Sequence, residues 1–230
     1  MKKVLFSVCA AIAILGCGGD DVGGLPCLSC EENGGDGGDG GGYTGSYGSL
    51  LYGGQTYKTV RIGSQTWFAE NLNYNVPGSK CYDNSDFYCY AYGSLYNWSA
   101  AMGFWPGCNE NVCSDQIQSK HQGICPEGWH IPSDSDWDIL INYAGGYSAA
   151  GRYLGSGYWG GTDQYGFSAM PGGGGSGSSF NNIELHGYWW TASEINSELA
   201  YYRLMLYSED GAYWNYYDKS NFFSVRCVKD

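Results

Sequence analysis

Hydrophobic pattern divides the chain into three stretches of different kind. Val4 to Leu15 is an almost unbroken apolar run of twelve residues. Residues 18–56 show no periodicity, and between Gly34 and Gly54 eleven of twenty-one residues are glycine. From Tyr57 onward, short apolar alternations separated by turn residues take over. Tyr57 to Leu72 places β-branched or aromatic runs on either side of Gly63-Ser64, which predicts a β-hairpin with a two-residue turn. Leu95, Trp98, Ala101 and Met102 fall at helical spacing, so Ser94 to Met102 is expected to be a short amphipathic helix. A second helix opens at Ser133, which follows Pro132 and has Asp136 three residues on as a capping partner. Trp137, Leu140 and Ile141 mark its buried stripe, and Gly145-Gly146 ends it. Tyr158 to Asp230 reads as short aromatic strands punctuated by glycine. Two helices followed by a strand-rich half predict an α+β domain with a small, mostly antiparallel sheet and long loops.

The apolar run follows Met1-Lys2-Lys3 and would reach roughly 18 Å as a helix, short of the ~30 Å of a bilayer core. It has the length and flanks of a signal peptide, residues 1–16, rather than of an anchor. Its end, Ile14-Leu15-Gly16-Cys17, resembles a bacterial lipobox, so Cys17 is the expected lipidation site. Residues 17–56 hold six acids and only glycine-rich sequence around them, too little apolar surface to offset chain entropy, and are expected to form an acidic flexible tether. No later stretch is long and apolar enough to span a membrane. Lipid on Cys17 is therefore the expected membrane contact, and an outer-membrane or cell-surface location follows. Two or three acyl chains suffice for stable retention.

Charge narrows the partners. Residues 57–230 carry seventeen acids and nine bases, a net of −8. A field of that sign repels phosphate backbones, so nucleic acid is not an expected partner. Apart from Cys9 in the signal and Cys17, eight cysteines are left, an even number suited to an oxidising compartment. Eight allow 105 pairings, and spacing leaves the connectivity open. The expected set is Cys81 with Cys89, Cys108 with Cys113, and Cys125 with Cys227. The last would close a loop of about a hundred residues, worth up to ~4.7 kcal/mol on chain-entropy grounds. Cys27 and Cys30 form a CxxC in the tether, without the helix that lowers a thiol pKa and without a second CxxC for zinc. Cross-linking of the tether is the expected role.

Several segments belong to one pattern. They are V-R-I-G-S-Q-T-W-F-A-E-N-L-N-Y in the hairpin, Y-G-S-L-Y-N-W from Tyr92, and C-P-E-G-W-H-I-P-S from Cys125. T-D-Q-Y-G-F-S-A-M-P-G-G from Thr162, W-W-T-A-S-E from Trp189 and the closing Ser224-Val225-Arg226-Cys227-Val228 complete it. Together, over residues 57–230, they closely resemble the Fibrobacter succinogenes major paralogous domain, which recurs in exported bacterial proteins. The stretch from Gly128 to Trp137 is also similar to the G-F-R-L-P-T-E-A-E-W signature of formylglycine-generating (sulfatase-modifying) enzymes. That likeness implies a C-type-lectin-like core, with neighbouring termini, a small sheet, two helices and loops that present a ligand surface. A pairing of Cys125 with Cys227 suits such a core.

The likeness to those enzymes does not carry their chemistry. They hold copper with two cysteines late in the chain, and from Pro126 onward this sequence has only Cys227. No HExxH, GxSxG or P-loop occurs. His121, His130 and His186 lack ligand spacing, and Asp134, Asp136 and Asp138 read as helix-start carboxylates that favour the dipole. Trp214-Asn215 is similar to the W-N-D calcium-and-sugar motif of C-type lectins, but Tyr216 stands third. No catalytic residue, metal or cofactor is expected, and the chain is expected not to be an enzyme.

A surface is left. The chain has 22 tyrosines, and Ile195 to Phe223 is rich in Tyr, Ser, Asn and Asp where a plain core would favour Leu, Val and Ile. Tyrosine supplies stiff, amphipathic contact area with little rotamer entropy to lose, and its ring face stacks on the C–H face of a sugar. Packing of the same rings in a β-rich core is the competing expectation. Strand alternation puts Tyr201, Arg203, Met205 and Tyr207 on one face of Leu199–Tyr207, the side expected to meet ligand. With Tyr213, Trp214, Asn215, Tyr216 and Tyr217 these form the expected binding set, Met205 aside. Trp67, Trp137, Trp189 and Trp190 are expected in the core. The expected function is non-catalytic binding of an extracellular ligand, plausibly polysaccharide. The alternative is a protein-binding or structural surface component with a variable tyrosine-rich display face.

Overall fold

A computed structural model describes residues 42–207 and 209–230. The expected signal peptide, Cys17, Cys27 and Cys30 lie outside the described residues. The fold begins earlier than position 57. Gly48–Tyr52 forms a strand, β1, that pairs antiparallel with β2 (Gln55–Ile62). The expectation that everything up to residue 56 is free tether is corrected accordingly. Leu50 and Tyr52 flank the exposed Leu51 and pack on the core, and the Tyr52 hydroxyl donates to the Ile124 carbonyl at 3.1 Å. Glycine content hid a strand whose two core-facing residues, Leu50 and Tyr52, sit at the spacing of one sheet face. The predicted hairpin follows. Ile62 faces Gln65 across the two-residue Gly63-Ser64 turn, Gly63 has a φ of +58°, and β3 (Gln65–Phe68) returns along β2.

Helix content is redistributed relative to the sequence reading. β4 (Ser79–Lys80) leads to α1 (Asp86–Tyr92), a helix not anticipated because F-Y-C-Y-A-Y is poor in strong helix formers. The expected helix from Ser94 starts late. Leu95–Tyr96 is extended as β5 and pairs with β4. Only Trp98–Ala101, α2, is helical, with the Asn97 side chain accepting from the Ala100 N–H at 2.9 Å. Asn97 is a preferred N-cap residue and marks that boundary in the sequence.

Beyond β6 (Trp129–His130), α3 (Asp134–Tyr143) matches its prediction closely, with a reciprocal Ser133/Asp136 capping box and Trp137, Leu140 and Ile141 buried. A short α4 (Ala150–Leu154) follows, also unanticipated. The chain then forms the ribbon β7 (Gly174–Ser176) and β8 (Ser179–Asn181). After it come β9 (His186–Glu194), β10 (Leu199–Leu206), β11 (Ala212–Asp218) and finally β12 (Val228–Lys229).

Instead of one sheet there are two of size, ordered β1-β2-β3-β12-β6 and β11-β10-β9, plus the β4-β5 and β7-β8 ribbons. Every ladder is antiparallel. The α+β class holds. The last strand lies between β3 and β6, so the beginning and end of the domain share one sheet.

Neighbouring residues in these strands feed two separate cores. Phe68, Trp190 and Tyr202 enter one, while Trp67, Trp189 and Met205 enter the other with Trp137 and Phe167. The four tryptophans expected in the interior are all fully buried. The three expected disulfides are present: Cys81–Cys89, Cys108–Cys113 and Cys125–Cys227.

A buried polar hub ties the pieces together. The Asn71 Oδ1 accepts from Trp189 Nε1 and from Arg226 Nε, each at 2.9 Å, while its Nδ2 donates to the Tyr92 carbonyl at 2.8 Å. The wholly buried Arg226 also donates to the carbonyls of Phe68, Phe167 and Ser168, and lies 4.4 Å from the Phe167 ring centre. Loss of water around the guanidinium pulls its pKa down to about 9.

Candidate functional site

The β11-β10-β9 sheet is closed on both faces at β9 and opens at β11. In β11 only Ala212 is buried, and all six residues from Tyr213 to Asp218 are exposed. As an edge strand it has a neighbour on one side only, and its side chains overhang the cores that cover β9 and β10. Register sorts the expected binding residues into two sets. Tyr201 faces Tyr216 and Arg203 faces Trp214, so these four share a face with the buried Trp189. Tyr213, Asn215 and Tyr217 lie on the opposite face with Tyr202. Tyr207 stands past the end of β10, exposed, beside Trp159, Arg152 and Asp210 in a recess of its own. The eight residues therefore do not make one patch.

The expected exposure of Arg203 and Met205 is corrected. Met205 is 1% exposed and Arg203 2%. The first turn of α3 lies over that face, and Asp134 and Asp138, four residues apart, project from the same side of the helix. Arg203 Nη2 donates to Asp134 Oδ1 at 2.8 Å, to the Asp134 carbonyl at 3.0 Å and to Asp138 Oδ1 at 2.9 Å. Its Nη1 donates to the Tyr147 hydroxyl at 3.0 Å, which in turn donates to Asp138 Oδ1 at 2.5 Å. Arg203 Nε is buried without an acceptor among the described residues.

These groups floor an open cleft. Tyr201 and Trp214, with ring centres 5.8 Å apart in an edge-to-face arrangement, form its aromatic side, and Asp134, Asp138, Tyr147 and Arg203 form the polar side. Burial raises the Asp134 carboxyl above its ordinary pKa, offset in part by the hydrogen bond from Ser193 and by the charge of Arg203. Two carboxylates against one guanidinium give the floor an excess negative charge. It therefore offers acceptors to hydroxyl or ammonium donors and disfavours anions, while Trp214, half exposed, offers a ring face.

Of the expected binding set, Tyr201, Arg203 and Trp214 line this cleft, and their polar partners were not singled out from the sequence. Asp134 and Asp138 read as helix-start charges, a role they also fill, and Tyr147 carried no signal. Only the spacing of the two aspartates, one helical turn apart, pointed to a shared partner. The histidine most open to a functional reading, His130, is structural. Its Nδ1 lies 2.7 Å from Asp230 Oδ1 and its Nε2 3.3 Å from Asp136 Oδ2, which clasps the C-terminal end to the cap of α3. Among the described residues no group of three or more His, Cys, Asp or Glu is placed to hold a metal ion.

A family model described as the Fibrobacter succinogenes major domain matches residues 60–229. No curated protein and no solved structure matches the chain.

Proposed function

The chain belongs to the Fibrobacter succinogenes major domain family, and from that premise we propose that it is a surface lipoprotein whose domain holds an extracellular glycan without performing chemistry on it. The observation that carries the reading is the exposed Trp214–Tyr201 pair above the Arg203–Asp134–Asp138–Tyr147 floor. A pyranose ring stacks its C–H face on Trp214 and turns adjacent hydroxyls toward the Asp138 carboxylate, whose partners already hold it in place. Arg203 acts through the two aspartates as a positioning residue. Its Nη1 and Nη2 both donate inside the protein and its Nε is buried, so it is not offered to an anionic ligand.

A C-type-lectin-like fold accords with the shared sheet of β1–β3 and β12, the short helices and the long connections. Anchoring at Cys17 accords with the lipobox-like sequence ahead of a glycine-rich stretch. Replacing Cys17 with serine is expected to move the chain from the membrane to the soluble fraction on cell fractionation. Unchanged membrane retention would remove the lipid anchor.

The glycan reading is tested by retention of the purified full-length chain on a panel of insoluble polysaccharides. Trp214→Ala is expected to weaken retention about tenfold, equivalent to about 1.4 kcal/mol. If the unaltered chain is retained on none of the panel, the glycan reading fails. A second reading, recognition of a protein, is favoured by one feature: β11 is an unpaired sheet edge without proline or bulge, which suits addition of a partner strand.

A further inference from the structure

We propose that the recess on the opposite face of β11, where Tyr217 stands, is a second glycan subsite that takes an uncharged pyranose. The proposal extends the preceding reading to a separate place and rests on it. The recess lies between the β9–β11 sheet and the β7–β8 ribbon, and no charged side chain lines it. Its aromatic wall comes from the sheet and from Phe223, in the segment that follows β11. Tyr217, half exposed on β11, has its ring centre 6.2 Å from that of Phe223, and Tyr188 stacks on Phe223 at 5.0 Å. Gly174 of the ribbon packs so closely that a Cβ there would come within 2.9 Å of the Phe223 ring. The wall is thus fixed before any ligand arrives, which lowers the cost of ordering on binding.

Polar groups at the rim are held, yet have capacity to spare. Tyr202 is only 7% exposed and its ring stands at 88° to Tyr217, but its hydroxyl makes no hydrogen bond within the described residues. The hydroxyl is not among the sealed side-chain atoms without a partner, and Tyr202 lines the recess, so the group is open to it. Burial and the neighbouring Tyr188 and Tyr217 push its pKa up to about 12, so it stays a neutral group able to donate and to accept. Asn221 donates through Nδ2 to the Asp218 carbonyl at 3.1 Å, which leaves its amide oxygen without a donor. Asn182 donates to the Tyr188 hydroxyl at 2.8 Å and thereby orients it. Neutral donors and acceptors beside ring faces match sugar hydroxyls and the C–H face of a pyranose. They give no purchase to a carboxylate or sulfate, and the negative field of the domain opposes one.

The test follows the side-chain amide NMR signals of Asn182 and Asn221 in the purified full-length chain. The probes are neutral hexasaccharides of glucan, xylan and mannan, and anionic oligogalacturonate. A neutral sugar is expected to shift both signals, oligogalacturonate is not, and the shifts are expected to persist in Trp214→Ala. Tyr217→Ala and the ring-preserving Tyr202→Phe are expected to weaken the titration about tenfold, whereas Tyr90→Ala, an exposed ring on α1, is expected to leave it unchanged. The subsite is overturned if no neutral sugar moves these signals, if Tyr202→Phe and Tyr217→Ala titrate like the unaltered chain, or if the anionic sugar binds as well. Retention on polysaccharide that depends on Trp214, with silent Asn182 and Asn221, would sink the second subsite and leave the glycan reading standing. Shifts that survive where Trp214→Ala has no effect on retention would do the reverse.

Discussion

The hub around Asn71 and Arg226 and the open strand β11 are made from the same residue types, aromatic rings beside polar groups, with opposite outcomes. In the hub, the indole of Trp189 and the guanidinium of Arg226 converge on one amide oxygen, and the remaining guanidinium donors go to backbone carbonyls. The wholly buried Lys219 repeats the scheme. It pairs with Glu194, donates to the carbonyls of Cys108, Asn111 and Ser197, and sits 4.7 Å from the Trp98 ring centre. Interior charges survive there because nearly every donor is answered. Along β11 the rings stand exposed, and the hydroxyl of Tyr202 and the amide oxygen of Asn221 have no hydrogen-bond partner among the described residues. The frame is not wholly answered, since Trp137 Nε1 and Trp159 Nε1 are buried in the second core without a partner among the described residues. Several residues of the family pattern, among them Trp67, Asn71, Trp189, Arg226 and Cys227, lie in the closed region, so the pattern tracks the frame of the domain rather than its open edge.

That contrast is tested by substitution, most severely in the hub. Arg226→Met removes the donors to three buried carbonyls, each costing about 1–3 kcal/mol when orphaned, and is expected to lower unfolding free energy by about 3–5 kcal/mol in chemical denaturation. A loss below about 1 kcal/mol would mean that the hub is not what holds the sheets together.

A smaller, pH-dependent effect is expected at the His130 clasp. Burial alone would push the His130 pKa down, but its hydrogen bonds to Asp136 and Asp230 outweigh that and hold it above the ordinary imidazole value. Protonated His130 therefore stabilises the fold fully below about pH 6.5, and the contribution is lost as pH rises through the higher folded value. Asp136 shifts the other way. Burial opposes ionisation, yet bonds from His130 and Ser133 keep its pKa below the usual carboxylate range, so its contribution is present above about pH 4 and lost as pH falls. Thermal midpoints are expected to fall on both sides of that window, and His130→Gln is expected to flatten the alkaline limb. An unchanged alkaline limb would remove the clasp.

The smallest stability effect is expected at the open edge. Trp214→Ala should change unfolding free energy by no more than about 0.5 kcal/mol, as surface substitutions do, even while it weakens retention on polysaccharide. A loss of 2 kcal/mol or more would show that Trp214 belongs to the frame and would erase the contrast.

Local rules made much of the architecture legible. The Gly63-Ser64 turn, the Ser133/Asp136 box and the Trp137, Leu140, Ile141 stripe each depend on residues close in sequence, and each formed as its pattern dictates. Of the readings that missed, one turned on a distant partner and one on a local turn. Leu95–Tyr96 is extended because Ser79–Lys80 and Phe223 bond to it, whereas β1 is a local miss, joined to β2 by the two-residue Gly53-Gly54 turn inside a glycine-rich stretch. At the site, alternation correctly set Arg203 apart from Tyr202 and Leu204, but it could not say that α3 would lie across the Arg203 face.

The sequence by itself determined the hairpin, the capped helix, the α+β class, the family and four of the tryptophans that go inside. All of these follow from short-range periodicity, turn chemistry and motif content. Tertiary structure alone decided which of two strand faces meets water, that Arg203 is neutralised by Asp134 and Asp138 some seventy positions earlier, and that Tyr202 keeps an unanswered hydroxyl at the rim of a recess. A period of two names a strand's faces without naming what packs against them. Only the arrival of another element, or its absence beside β11, assigns each face to the core or to solvent.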